Sequence, residues 1–222
     1  PFLTETDGER VFWSKGPKIF EYDIATGGKD VIWDGNDVSV IRHMYAEGDM
    51  LLWEENNYVY GQVLSSGDTL VIDDKAFSTW KYPAKSGNIV VWVSGFGSEG
   101  YDVKGYNLDT GEYFVITENS RIKTHSDISG DVVVWWDRAD YDDEGEIHGY
   151  DLSEAREFVI SDAPGIEGRP TIWENLVIWY GGQSGEFDLY GYDLNTEKEF
   201  VFCGEPGYQI YPFARDDMVV WM

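Results

Sequence analysis

The chain has 222 residues, with ten Trp, fifteen Tyr and eleven Phe, and a formal net charge of −26 from 42 acidic against 16 basic residues. The aromatic load argues against disorder, and so negative a field repels phosphate backbones and anionic bilayers, which excludes nucleic acid and charged membrane surfaces as favoured partners. One cysteine, Cys203, leaves no intrachain disulfide, and no apolar run is long enough to cross a bilayer.

Six copies of one hexapeptide, a turn pair followed by three residues and Trp, organise the chain. In order they are GERVFW ending at Trp13, GDMLLW at Trp53, GNIVVW at Trp92, GDVVVW at Trp135, ENLVIW at Trp179 and DDMVVW at Trp221. Successive tryptophans lie 40, 39, 43, 44 and 42 residues apart, which marks a repeat architecture. A second run follows each Trp except the last: IFEYDI at 19–24, VYGQVL at 59–64, VKGYNL at 103–108, IHGYDL at 147–152 and LYGYDL at 189–194. Small turn residues come next, as in Asp109-Thr110-Gly111, and then a third run such as YFVIT or EFVIS. Loops of this kind make tight hairpins, because Gly and Asn accept positive φ. A weaker run precedes each hexapeptide, often with Pro in its middle, as at Pro83, Pro170 and Pro212.

Each repeat therefore reads as four short strands, with no helical periodicity. The second strand is apolar on both faces, Val90 and Trp92 on one side and Ile89 and Val91 on the other, so its sheet must be covered twice. Radially stacked sheets provide that cover, with Trp as the large filler between them. Cys203 falls in a strand and reads as a small buried hydrophobe. A two-sheet sandwich needs no forty-residue unit, and ring closure removes the exposed edges a linear solenoid would leave. The expectation is an all-β chain, a single β-propeller domain over 1–222 with four-stranded antiparallel blades. Its repeats fall near 1–37, 38–75, 76–121, 122–165 and 166–207, with a partial sixth at 208–222. A five-bladed ring is slightly favoured over a six-bladed one.

The pattern Pro-x-x-x-Gly-Asp-x-Val-Val-Trp, then Gly-Tyr-Asp-Leu-x-Thr-Gly, then Phe-Val-Ile-Thr resembles the repeats of TolB-type propellers, especially the cell-surface variant of archaea and bacteria. The best copies are GNIVVWVSGFGSEGYDVKGYNLDTGEYFVIT and ENLVIWYGGQSGEFDLYGYDLNTEKEFVF. The likeness runs the length of the chain, but Gln62 stands where other repeats have Tyr and Thr4 where later ones have Pro. The resemblance implies an extracytoplasmic propeller, periplasmic, cell-surface or extracellular, that binds proteins or glycans. It implies no single reaction, so function has to be argued from sites.

Two sites stand out. Five residues upstream of the turn glycine or its equivalent lie His43, Tyr82, His125, Arg169 and Tyr211, with Leu3 in the first repeat, a channel-facing ring able to grip a sugar, carboxylate or peptide. The competing expectation is that residues before proline are simply held extended. The second site is the acidic segment 137–146, where Asp140, Asp142 and Glu144 alternate ahead of Gly145 like the start of a calcium loop. No nucleophile elbow, phosphate loop, dinucleotide fingerprint or zinc-ligand spacing is present. The function expected is thus a non-enzymatic extracytoplasmic binding or scaffolding module for protein or carbohydrate. The alternatives are a carbohydrate-active enzyme (a glycoside hydrolase or polysaccharide lyase) or a structural unit of a larger surface protein.

Overall fold

The computed structural model describes residues 4–74, 81–95, 100–119, 121–140, 144–183, 186–215 and 218–222. Twenty-two strands lie among these residues, and none of them is helical. The chain divides into two compact units, 1–83 and 84–222.

The first unit holds two antiparallel four-stranded sheets. One is β1 (Thr4–Thr6), β2 (Arg10–Lys15), β3 (Lys18–Asp23) and β4 (Lys29–Asp34), paired in chain order. The other is β5 (Ile41–Glu47), β6 (Met50–Glu55), β7 (Tyr58–Val63) and β8 (Thr69–Asp73). Its second strand, β6, is buried at every position, as a strand apolar on both faces must be. Phe12, Ile19, Ile41, Met44, Ala46, Leu51 and Trp53 form one cluster across the two sheets. Gln62, where the other repeats have Tyr, is buried, and its amide donates to the carbonyls of Ile32 and Gly67, both at 3.2 Å. The departure from the pattern thus exchanges an aromatic contact for one hydrogen bond to the neighbouring sheet and one within its own hairpin.

The second unit repeats the plan. Strands β9 (Ala84–Ser86), β10 (Ile89–Gly95), β11 (Tyr101–Asn107) and β12 (Glu112–Val115) form one group. A parallel bridge from Tyr101 to Ile122 joins them to β13 (Ile122–Ser129), β14 (Val132–Arg138), β15 (Glu146–Asp151) and β16 (Arg156–Ser161). Another sheet comprises β17 (Ile166–Trp173), β18 (Leu176–Gln183), β19 (Glu186–Asp193) and β20 (Lys198–Cys203). A two-stranded pair, β21 (Phe213–Arg215) and β22 (Met218–Val220), ends the unit. The repeat tryptophans differ in burial. Trp53, Trp92, Trp135 and Trp179 are fully buried fillers, whereas Trp13 is half-buried and Trp221 is 43% exposed. Cys203 is half-buried rather than buried, because it ends β20, an outer strand that is exposed over its first four residues.

The Gly-Tyr pair of the third strand has a packing reason. Gly105, Gly149 and Gly191 lie opposite Phe114, Phe158 and Phe200 of the fourth strand. A Cβ on Gly149 would sit 2.5 Å from the Phe158 ring, so the ring occupies the space a side chain would need. Gly149→Val is expected to destabilise the chain by about 1–3 kcal/mol through overpacking, and pairing it with Phe158→Ala recovers part of that loss. Denaturant midpoints of the two single variants and the double check this.

Candidate functional site

In the innermost strand of three repeats the pairing slips by one residue. Arg42 faces Glu54 and Tyr45 faces Leu52, so His43 and Met44 together oppose Trp53. Thr124 faces Trp136 and Asp127 faces Val134, so His125 and Ser126 oppose Trp135. Gly168 faces Tyr180 and Thr171 faces Ile178, so Arg169 and Pro170 oppose Trp179. Two residues opposite one is a β-bulge, and each bulge lies across from the repeat tryptophan. Proline is tolerated in mid-strand there because the extra residue owes no hydrogen bond to the ladder.

The first bulge residue takes a left-handed backbone, with φ of 47° at His43, 54° at His125 and 48° at Arg169. Tyr82 and Tyr211, the matching positions in two further repeats, have φ of 45° and 58°. The expectation that residues before proline are held extended is therefore wrong for Tyr82, Arg169 and Tyr211. At Arg169 the bulge overrides the preference that the following proline sets in an unpaired chain. A non-glycine residue at such a φ costs about 1 kcal/mol or more. All five ring positions thus carry a side chain on a backbone that glycine would adopt without strain.

Within the first unit the His43 and Tyr82 rings touch, with centroids 3.9 Å apart. Within the second unit the Arg169 guanidinium lies 4.0 Å from the Tyr211 ring centroid. Tyr180 meets Tyr211 edge-on at 6.3 Å, and His125 is 6.3 Å from Trp136. The Arg138 guanidinium covers Trp136 at 4.2 Å. Burial pushes the Tyr180 phenol up, and the charges of Arg169 and Arg138 pull against that shift. Trp136, Arg138 and Tyr180 were not legible as site residues. The only available signal was that Trp136 and Tyr180 directly follow repeat tryptophans, on strands read as wholly structural.

In the second unit acids accept from two of the buried tryptophans. The Trp135 indole donates to Asp137 at 3.3 Å, and Asp137 also faces Arg121 and, at 3.8 Å, the buried Lys123. Burial holds the Lys123 ammonium below its ordinary range, against the pull of Asp137. Asp127 accepts from Thr171 at 2.9 Å and from the Ile172 amide at 3.0 Å. Loss of water lifts its carboxyl to about 6.

Glu167 is 3% exposed and accepts from Ser161 at 2.6 Å and from the Trp179 indole at 3.1 Å, with no ion pair among the described residues. Burial lifts it to about 7, and Glu199 and Asp162 add to the rise. A carboxyl raised in the folded state makes folding less favourable once the unfolded chain ionises. Stability is therefore expected to fall between about pH 4.5 and pH 7, by on the order of 2–3 kcal/mol from this group. Glu167→Gln, which keeps both hydrogen bonds, flattens that part of the profile and is more stable than wild type at pH 8. Melting from pH 4 to 8 checks the sign.

In the acidic segment Asp140 is exposed, Asp142 lies outside the described residues, and Glu144 accepts from the Gly165 amide at 2.9 Å. Among the described residues no group of three or more His, Cys, Asp or Glu is disposed to hold a metal. A cleft of 620 Å³ also opens beside the last hairpin, lined in part by Trp173, Leu176, Phe200, Phe202, Met218 and Trp221.

No protein-family model and no curated protein matches the chain. Solved structures do match. The propeller domain of the Trilobed protease from Pyrococcus furiosus superposes with a TM-score of 0.78 at 13% identity, over 99% of this chain and 76% of that one. TolB from Acinetobacter baumannii superposes with a TM-score of 0.64 at 16% identity, over 91% of this chain. The fold is a TolB-like β-propeller. A putative TolB from Agrobacterium tumefaciens agrees, with a TM-score of 0.64 at 13% identity over 90% of this chain and 80% of that one. The propeller spans 52% of the Acinetobacter protein. At these identities the likeness carries the fold, and the four-stranded sheets are its blades.

Proposed function

We propose that this propeller is a non-enzymatic binding or scaffolding module, working outside the cytoplasm, that takes a protein or glycan at the bulge residues of its inner strands. One observation carries the reading: five repeats place His43, Tyr82, His125, Arg169 and Tyr211 on left-handed backbone where glycine would relieve strain. Side chains kept at such a cost mark functional positions more often than structural ones. The strongly acidic surface, with 42 acids to 16 bases, suits a soluble module in a salty or cell-exterior setting.

Glycine substitution separates the two roles. His125→Gly and Tyr211→Gly are expected to leave stability within about 1 kcal/mol of wild type, since relief of strain offsets the added freedom of the unfolded chain. The same variants weaken capture of a ligand found by screening glycans and proteins. Large destabilisation with unchanged capture would make the residues structural. Turnover of a screened polysaccharide would instead favour an enzyme. The proposal includes a calcium ion held by Asp140, Asp142 and Glu144. Its signature is a rise in melting temperature with added calcium that Asp142→Ala removes, and no rise in either protein ends that part.

A further inference from the structure

In a chain with 42 acidic residues, an arginine without a carboxylate is unusual. Arg10, Arg42, Arg121 and Arg156 each pair with one. Arg169 makes no ion pair or guanidinium hydrogen bond among the described residues, and its one contact of this kind is the Tyr211 ring at 4.0 Å. Stacking on a ring fixes the guanidinium plane and leaves its N–H edge free to donate. That edge matches a carboxylate, which accepts two parallel hydrogen bonds from the fork.

The surroundings narrow the ligand. Tyr211 is 39% exposed, and Tyr208, 58% exposed, continues the aromatic surface through Phe187 to Tyr180. Exposed phenol rings offer flat apolar faces with a polar tip, which suits a sugar ring better than a peptide backbone. The long-range field of the chain repels polyanions, so the ligand should carry isolated carboxylates on an otherwise neutral body.

Resting on the binding reading above, we infer that Arg169, stacked on Tyr211 beside Tyr180, forms a subsite for the carboxylate of an acidic sugar. The test titrates the whole chain with methyl glucuronide, the neutral methyl glucoside and a short acetylated glutamate peptide, followed by NMR. The glucuronide is expected to bind at least about tenfold more tightly than the glucoside. Arg169→Gln should cost about 10- to 100-fold in glucuronide affinity, and Arg169→Lys most of the same loss, because lysine keeps the charge without the fork. Melting of each variant shows that the fold is retained, and Tyr211→Phe, which keeps the ring under the guanidinium, should bind nearly as wild type. Equal binding of glucuronide and glucoside, or glucuronide affinity unchanged in Arg169→Gln, overturns the carboxylate subsite. If Tyr211→Gly still weakens both sugars, the broader binding reading survives that failure. Binding of the peptide but not the glucuronide overturns the sugar assignment, and no binding of any probe overturns the subsite.

Discussion

Asp73→Ala is expected to destabilise the first unit by about 3–5 kcal/mol, the largest effect of any single charge removal proposed for it. Asp73 and Lys81 form an ion pair at 2.5 Å, with the lysine side chain unexposed and the aspartate 5% exposed. Truncating the carboxylate takes from the buried ammonium its short ion-pair partner, at a cost in desolvation. The consequence reaches the ring. Lys81 directly precedes Tyr82, and its backbone amide donates to the buried Glu54 at 3.0 Å, so movement of the lysine disturbs the Tyr82–His43 contact. The double variant Asp73→Leu with Lys81→Met should recover most of the loss, because removing both charges removes the penalty along with the attraction. Urea midpoints for the singles and the double decide it. A double variant as unstable as Asp73→Ala would mean that the pair does more than neutralise itself.

Trp179→Ala should cost a similar 3–5 kcal/mol, by loss of buried surface and the cavity left behind. Trp179 is fully buried in a cluster with Val134, Ile147, Ile160, Ile172 and Val177, contributed by two adjacent blades. Its indole also holds Glu167, so Trp179→Phe tests the hydrogen bond with most of the volume kept. That variant should lose far less stability and push Glu167 still further up, moving the pH dependence to higher pH. Trp221 occupies the same place in the repeat motif but is 43% exposed, and its described ring contact is Phe202 at 6.1 Å. Trp221→Ala should cost less than about 1 kcal/mol. Equal losses at the two positions would refute the idea that neighbouring blades, rather than the motif, set the value of each tryptophan.

The five positions that precede the turn glycine or its equivalent by five residues share one backbone conformation. Their left-handed φ was not readable; at His43, His125 and Arg169 it accompanies two residues facing one tryptophan on the neighbouring strand, a matter of register between strands. Trp136 and Tyr180 were hidden for a related reason. Each follows a repeat tryptophan and looks like one more apolar strand residue, yet pairs beside a bulge and meets a ring residue. Glu167 was one acid among 42. Burial beside Trp179, with no cation against it among the described residues, sets it apart.

Periodicity alone determined that this chain is all-β, that its unit has about forty residues and four strands, and that Trp lies on the most buried strand of each complete inner repeat. Those properties follow from alternation, turn chemistry and recurrence, which act within a strand or across a hairpin. Tertiary structure decided which tryptophans are filled in on both sides, which acids meet a cation, and which arginine is left with a ring in place of a carboxylate. Each depends on what an adjacent sheet presents across the packing interface, and the same hexapeptide therefore carries a different energy in each blade.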